Sequence, residues 1–145
     1  IHLGTKFMKI VKRGWKNVIR NPKILFNLKN SSIKLHFDMH HGFGILDKAI
    51  DVLKKEDREE FRNYVNTRTY YNPHIMFISK KDIMEKYFGD VFPWLFECEK
   101  IFGLDNLKGY DQTRLYAYLS ERYLSFWFKK YSKYIEWPWV FRDIN

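Results

Sequence analysis

Between Gln112 and Lys130 the apolar residues Leu115, Leu119, Tyr123, Phe126 and Trp127 recur at three- and four-residue steps, which predicts one long α-helix with a broad apolar face. Polar side chains on so apolar a helix must reach solvent, partners or a cleft. Arg114, Tyr118, Glu121 and Ser125 share one face at about 100° per residue, with Asp111 just ahead of the helix and Arg122 beside them. The chain has 145 residues, 46% hydrophobic and 19% aromatic, enough for one well-buried core and too apolar for a disordered or low-complexity chain.

The other segments read as mostly helical. Phe7, Met8, Val11, Trp15, Val18 and Ile19 have helical spacing and oppose Lys9, Lys12, Arg13, Lys16 and Arg20, predicting a basic amphipathic helix that Gly14 weakens and Asn21-Pro22 ends. Lys23 to Lys29 repeats that composition, and Ser31-Ser32 offers a cap for helical pattern from Ile33 to His40. A pause at Gly42-Phe43-Gly44 precedes helical pattern from Ile45 to Val52. The charged run Lys54 to Glu60 reads as a solvated surface, and Phe61, Tyr64 and Val65 turn back to the core.

Two strands are expected. His74 to Ile78 is short, apolar and bounded by Asn72-Pro73 and Ser79-Lys80-Lys81; Ile135 to Phe141 alternates and, with Pro138, reads as an edge strand. Ser79 with Asp82 suggests a capping box for a helix carrying Ile83, Met84, Tyr87 and Phe88. Gly89-Asp90 is expected to break that helix, with Asp90 capping another that turns Val91, Trp94, Leu95 and Cys98 inward. The fold class is thus α+β, helix-rich with few short strands, organised as a basic amphipathic segment over residues 1–30 and a folded domain over 31–145.

Charge divides the chain in the same place. Residues 1–37 hold nine Lys and Arg and no acid, whereas the remainder balances 17 basic against 17 acidic residues, so the net charge of +9 belongs to the front of the chain. A basic amphipathic helix suits an anionic bilayer surface or nucleic-acid phosphate, and its separated faces favour the bilayer; packing on its own domain is the plain structural alternative. No apolar run is long enough to span a membrane. The lone Cys98 forms no internal disulfide and reads as a buried thiol. An opening Ile1 suggests a piece of a longer polypeptide.

The short motifs of metal-nucleotide binding, dinucleotide binding and serine hydrolysis are absent. His36 and His40 share a helix face at metal-ligand spacing, with Asp38 near, but lack the Glu of a metalloprotease helix. Ser79-Lys80-Lys81 at a helix start would suit a phosphate. Asp111 reads first as an N-cap at the helix start, and Glu121 with Arg122 equally as a structural ion pair.

Four pieces carry a resemblance: Tyr71-Asn72-Pro-His-Ile-Met-Phe-Ile-Ser-Lys-Lys81, Trp94-Leu-Phe-Glu-Cys-Glu-Lys100, Arg114-Leu-Tyr-Ala-Tyr-Leu-Ser-Glu-Arg122 followed by Trp127, and Glu136-Trp-Pro-Trp-Val-Phe141. From about His36 to Phe141 the chain resembles the C-terminal half of a bacterial glycosyltransferase-like family of capsular polysaccharide, exopolysaccharide and O-antigen loci. The resemblance implies the acceptor-side half of a GT-A-like enzyme, transferring a sugar from a nucleotide-sugar donor to a growing, lipid-linked glycan at the cytoplasmic face of the inner membrane. Members carry an earlier nucleotide-sugar-binding half; here residues 6–29 stand where it should end, so the donor site and any divalent-metal ligands would lie in a missing half.

Carried over by position, Asn72, Arg114, Ser120, Glu121 and Arg122 match the family pattern. An inverting transfer needs a carboxylate base and positive charge on the leaving diphosphate. Glu121 and Asp111 are the candidate bases, Arg114, Arg122, Lys80 and Lys81 the candidate diphosphate contacts, and Asn72 and His40 the candidate sugar partners. A non-enzymatic module binding anionic membrane or nucleic acid is the competing reading.

Overall fold

The computed structural model describes residues 7–26, 31–105 and 107–137. Its elements are helical: α1 (Phe7–Arg13), α2 (Trp15–Arg20), a 3-10 turn (Pro22–Phe26), α3 (Ile33–His41), α4 (Ile45–Asp51), α5 (Lys55–Thr67), α6 (Lys81–Phe102), α7 (Tyr110–Thr113) and α8 (Leu115–Tyr131). A single bridge residue, Tyr70, is the only β structure among the described residues.

Helix α8 is the axis of the core, as its apolar periodicity demands. Leu115, Leu119, Tyr123 and Trp127 are fully buried, with Phe126 nearly so. Helix α6 runs antiparallel to it: Trp127 meets Tyr87 at 5.3 Å, Tyr123 meets Trp94 at 5.0 Å, and the Tyr116 hydroxyl donates to the Gly103 carbonyl. Helices α3, α4 and α5 close the other side through Phe37, Leu46, Ile50, Phe61 and Val65. Local chemistry explains their boundaries. The Ser32 hydroxyl accepts from the Leu35 amide at 3.1 Å and caps α3. Gly42 (φ 115°) and Gly44 (φ 78°) make the turn into α4 in a region that L side chains avoid. Ion pairs from Lys34 to Asp38 (2.7 Å) and Asp47 (2.9 Å) then join α3 to α4. A smaller cluster, Ile10 with Leu35 and Met39, seats α1 on α3.

Several expectations are corrected. His74 to Ile78 is not a strand: Pro73 has no amide to donate, His74 is left-handed (φ 69°), and Ile75, Met76 and Ile78 are exposed. Phe77 packs against Tyr87, Phe88 and Phe128. Residues 135–137 are likewise exposed and irregular, and the rest of the expected edge strand lies outside the described residues. The α+β assignment thus reduces to a helix-rich domain.

The break at Gly89-Asp90 does not occur either. Helix α6 is continuous through Gly89 and Pro93. The bond that Pro93 removes falls on the Gly89 carbonyl, and both residues face solvent, where water can replace it. Asp90 caps nothing; it accepts from the Trp127 indole at 2.6 Å and pairs with Lys54 at 2.7 Å. The capping box also fails, because the Ser79 hydroxyl turns to the Lys80 carbonyl and α6 starts without a side-chain cap.

Candidate functional site

The polar face of α8 meets α3 and the segment after α5. Arg114 sits where the backbone bends between α7 and α8, and its guanidinium lies 5.2 Å from the Tyr110 ring and 5.5 Å from Tyr118. One turn on, Tyr118 stacks on His41 of α3 at 3.9 Å. Another turn on, Arg122 is buried, 1% exposed, with its guanidinium 4.4 Å from the Tyr71 ring and within 6 Å of Phe37 and Tyr118. It donates to Glu121 at 2.8 Å and to the Tyr118 carbonyl at 3.2 Å. Its buried Nε has no hydrogen-bond partner among the described residues. An alternating ladder of cations and rings thus runs down one face, each cation favoured by the ring quadrupole.

The ladder ends at a recess lined by Tyr64, Arg68, Tyr70, Tyr71, Asn72, Ser125, Lys129, Tyr134 and Glu136. The Asn72 amide N–H donates to the Ser125 hydroxyl at 3.0 Å, and its side-chain amide donates to Glu136 at 3.3 Å. The recess is small, with room for about one hydroxyl group or water. Burial pushes the Tyr64 hydroxyl up to about 12, and Tyr71 and Tyr134 shift the same way for the same first cause. These phenols stay neutral at ordinary pH and can both donate and accept.

The expected site residues divide. Glu121 and Arg122 pair on α8 and reach Tyr71 beside Asn72, whereas Arg114 stands about 12 Å up the helix from Arg122. Ser120 does not join them: it is buried and its hydroxyl bonds back to the Ala117 carbonyl at 2.8 Å. Lys80 and Lys81 are exposed at the start of α6, beside the Phe128 end of α8, roughly 20 Å along the helix from Arg114. They cannot share one diphosphate with Arg114, and Lys81 pairs with Glu85 instead. His40 lies on α3 against His36, ring centroids 4.6 Å apart, with Arg13 3.5 Å from its Nδ1. The backbone of Asp111 belongs to α7, so it is not the N-cap, and its side chain lies outside the described residues.

Asp38 turns away from His36 and His40 toward Lys34 and the Gly44 amide, so it does not support them as a ligand pair. Among the described residues no three His, Cys, Asp or Glu side chains are placed to hold a metal ion. Burial first, then the positive neighbourhood of His40 and Arg122, pushes the His36 imidazole down to about 3.

The tyrosines of the recess escaped sequence reasoning. Tyr64 and Arg68 were legible as an i,i+4 pair at the end of α5, but Tyr134 and Glu136 reach the recess only through the chain reversal after α8. Fold and site together define a helix-rich domain around one aromatic helix, with a buried Glu-Arg pair bordering a tyrosine-lined recess. Residues 8–133 match the family described as Domain of unknown function (DUF4422), and the chain belongs to that family. No curated protein and no solved structure matches it.

Proposed function

We propose that the chain is the acceptor-side part of a GT-A-like glycosyltransferase that extends a capsular or surface polysaccharide from a nucleotide-sugar donor. The observation that carries this reading is the recess at Asn72. Tyrosine faces offer apolar contact to the C–H edge of a pyranose, while an amide, a carboxylate, a guanidinium and neutral phenols exchange hydrogen bonds with its hydroxyls. A recess that admits one hydroxyl suits the edge of a sugar in a longer glycan running across the surface.

In this reading Glu121, one helical turn from Ser125 on α8, is the candidate base for the acceptor hydroxyl, while Glu136 lies in the recess lining and holds Asn72. Arg122 orients it. Arg114, exposed at the head of α8, is the candidate contact for the leaving diphosphate. Asp111 remains a second candidate base.

The test is glycan binding by saturation-transfer NMR, together with nucleotide-sugar turnover by the longest natural form of the chain. Capsular-type oligosaccharides should show contacts that Asn72→Ala and Tyr70→Ala remove. Turnover per folded molecule should fall at least about a hundredfold in Glu121→Gln or Asp111→Asn. Full turnover in both variants overturns the assignment of the base, and absence of any glycan contact overturns the reading of the recess.

A further inference from the structure

The first two helices touch the rest of the chain along a narrow strip. Across Gly14 the Gly14 amide still reaches the Ile10 carbonyl (2.6 Å) and the Val18 amide reaches the Gly14 carbonyl (3.1 Å), so α1 and α2 keep nearly one helical phase. The buried positions are Ile10, Gly14 and Asn17, which follow three- and four-residue steps. Glycine is needed there: a Cβ at position 14 would stand 3.1 Å from Met39 Sδ and 3.0 Å from the Ile10 carbonyl oxygen. Contact with α3 thus uses Ile10, Gly14 and Asn17, with Val18 packed at its edge.

The bulkier side chains are elsewhere. At about 100° per residue Phe7, Met8, Val11, Trp15 and Ile19 fall in a second sector, and all five are exposed, Met8 by 73% and Ile19 by 72%. Lys9, Lys12, Arg13, Lys16 and Arg20 fill a third sector beside it, also exposed. Lys16 joins the two, its ammonium 5.6 Å from the Trp15 ring. A helix made only to pack on its own domain would bury Trp15 and Val11. Scattered exposed apolar residues are ordinary; five in one sector, followed by Phe26 at 91% exposure, form a surface with a use.

We infer that α1 and α2 form a docking surface for a lipid bilayer with anionic headgroups, with the apolar sector entering the acyl boundary and the basic sector at the lipid phosphates. Charge complementarity selects this occupant, since no carboxylate precedes Asp38. Nucleic acid would use the cations but gives Met8, Val11 and Ile19 no counterpart. No helix among the described residues is long and apolar enough to cross a membrane, so the contact is in the plane of the interface. The inference stands on the outer face of α1 and α2 and is independent of the sugar recess.

Co-sedimentation of the 145-residue chain with vesicles of phosphatidylcholine, alone or with about one-third phosphatidylglycerol, tests it. Partition onto the anionic vesicles should exceed that onto the neutral ones at least about tenfold and weaken with salt. Lys12→Gln and Lys16→Gln should each cost about fivefold at low salt. Trp15→Ser with Ile19→Ser should cost about tenfold or more while leaving the circular dichroism unchanged. Equal or absent binding to the two vesicle types overturns the inference, as does binding indifferent to the double serine variant. Tighter binding to an oligonucleotide than to anionic vesicles at matched salt would assign the surface to nucleic acid.

Discussion

The Tyr123 hydroxyl on α8 donates to the Asp57 carboxylate on α5 at 2.6 Å, across 66 positions of sequence. The same fully buried carboxylate accepts from the Tyr131 hydroxyl and pairs with Lys130 at 3.0 Å and Lys54 at 3.4 Å. Lys54 continues to Asp90, which holds the Trp127 indole. One polar network thus clamps α5, α6 and α8 in the middle of an aromatic core. Burial alone would raise the Asp57 carboxyl; the two tyrosine hydroxyls and the ammonium groups outweigh it and hold it below the usual carboxylate range.

Removing that carboxylate should be costly. Asp57→Ala leaves two phenols and two ammonium groups short of a partner and should lower stability by about 3–5 kcal/mol, with Asp57→Asn about 1–3 kcal/mol, in urea unfolding. Because the folded group titrates below the unfolded one, its contribution is present above about pH 4 and disappears as pH falls through the folded value. Asp57→Asn should therefore lose the acid-side decline in stability that this group supplies.

Arg122 and Glu121 should behave as one unit. Arg122→Met leaves Glu121 buried without its partner and should cost about 3–5 kcal/mol. Arg122→Lys should also destabilise, because an ammonium cannot reproduce both the guanidinium contact with the Tyr71 ring at 4.4 Å and the two hydrogen bonds to Glu121 and the Tyr118 carbonyl. In a double-mutant cycle, Glu121→Gln with Arg122→Met should be at least about 1 kcal/mol less damaging than the sum of the single variants. Additivity would mean that the 2.8 Å contact does not couple them.

His36 should make the protein sensitive to mild acid. Its folded imidazole titrates near 3, against 6.5 when free, so between these values the unfolded chain binds more protons and stability falls as pH drops. The expected slope is up to about 1.4 kcal/mol per pH unit below pH 6.5, and His36→Asn should flatten it. Urea midpoints between about pH 7 and 5 are the measurement. Asp38, raised chiefly by burial, acts in the opposite direction at lower pH, since its folded form takes a proton first.

Cys98 should be inert in the native state. It is fully buried, and burial, aided by the charge of Glu97, pushes its thiol up to about 12. A chromogenic disulfide reagent should react with it only at the rate of unfolding and at once in denaturant. Rapid native labelling would show that α6 opens locally from the core.

Local periodicity made most of the helices legible. Leu115, Leu119, Tyr123 and Trp127 repeat at the period of a helix whatever surrounds them, and Ser32 caps α3 through an amide three residues away. Glu121 and Arg122 were legible as chemistry, although adjacency in sequence said nothing about their burial together. The His74 to Ile78 run was misleading for a reason of the same kind: an apolar stretch is a strand only where a partner supplies its hydrogen bonds. Here Pro73 and a left-handed His74 leave it irregular.

The helical content, the segregation of charge to the first 37 residues and the aromatic face of α8 were all readable from the chain, because each follows from residue order over short stretches. Tertiary structure alone decided that Asp57, in the middle of a run that reads as solvated surface, is 0% exposed, while Trp15, whose spacing also allows packing on its own domain, faces outward. Burial depends on which side of a helix its neighbours occupy. A charge enters the core only where distant donors, here Tyr123 and Tyr131, arrive to hold it.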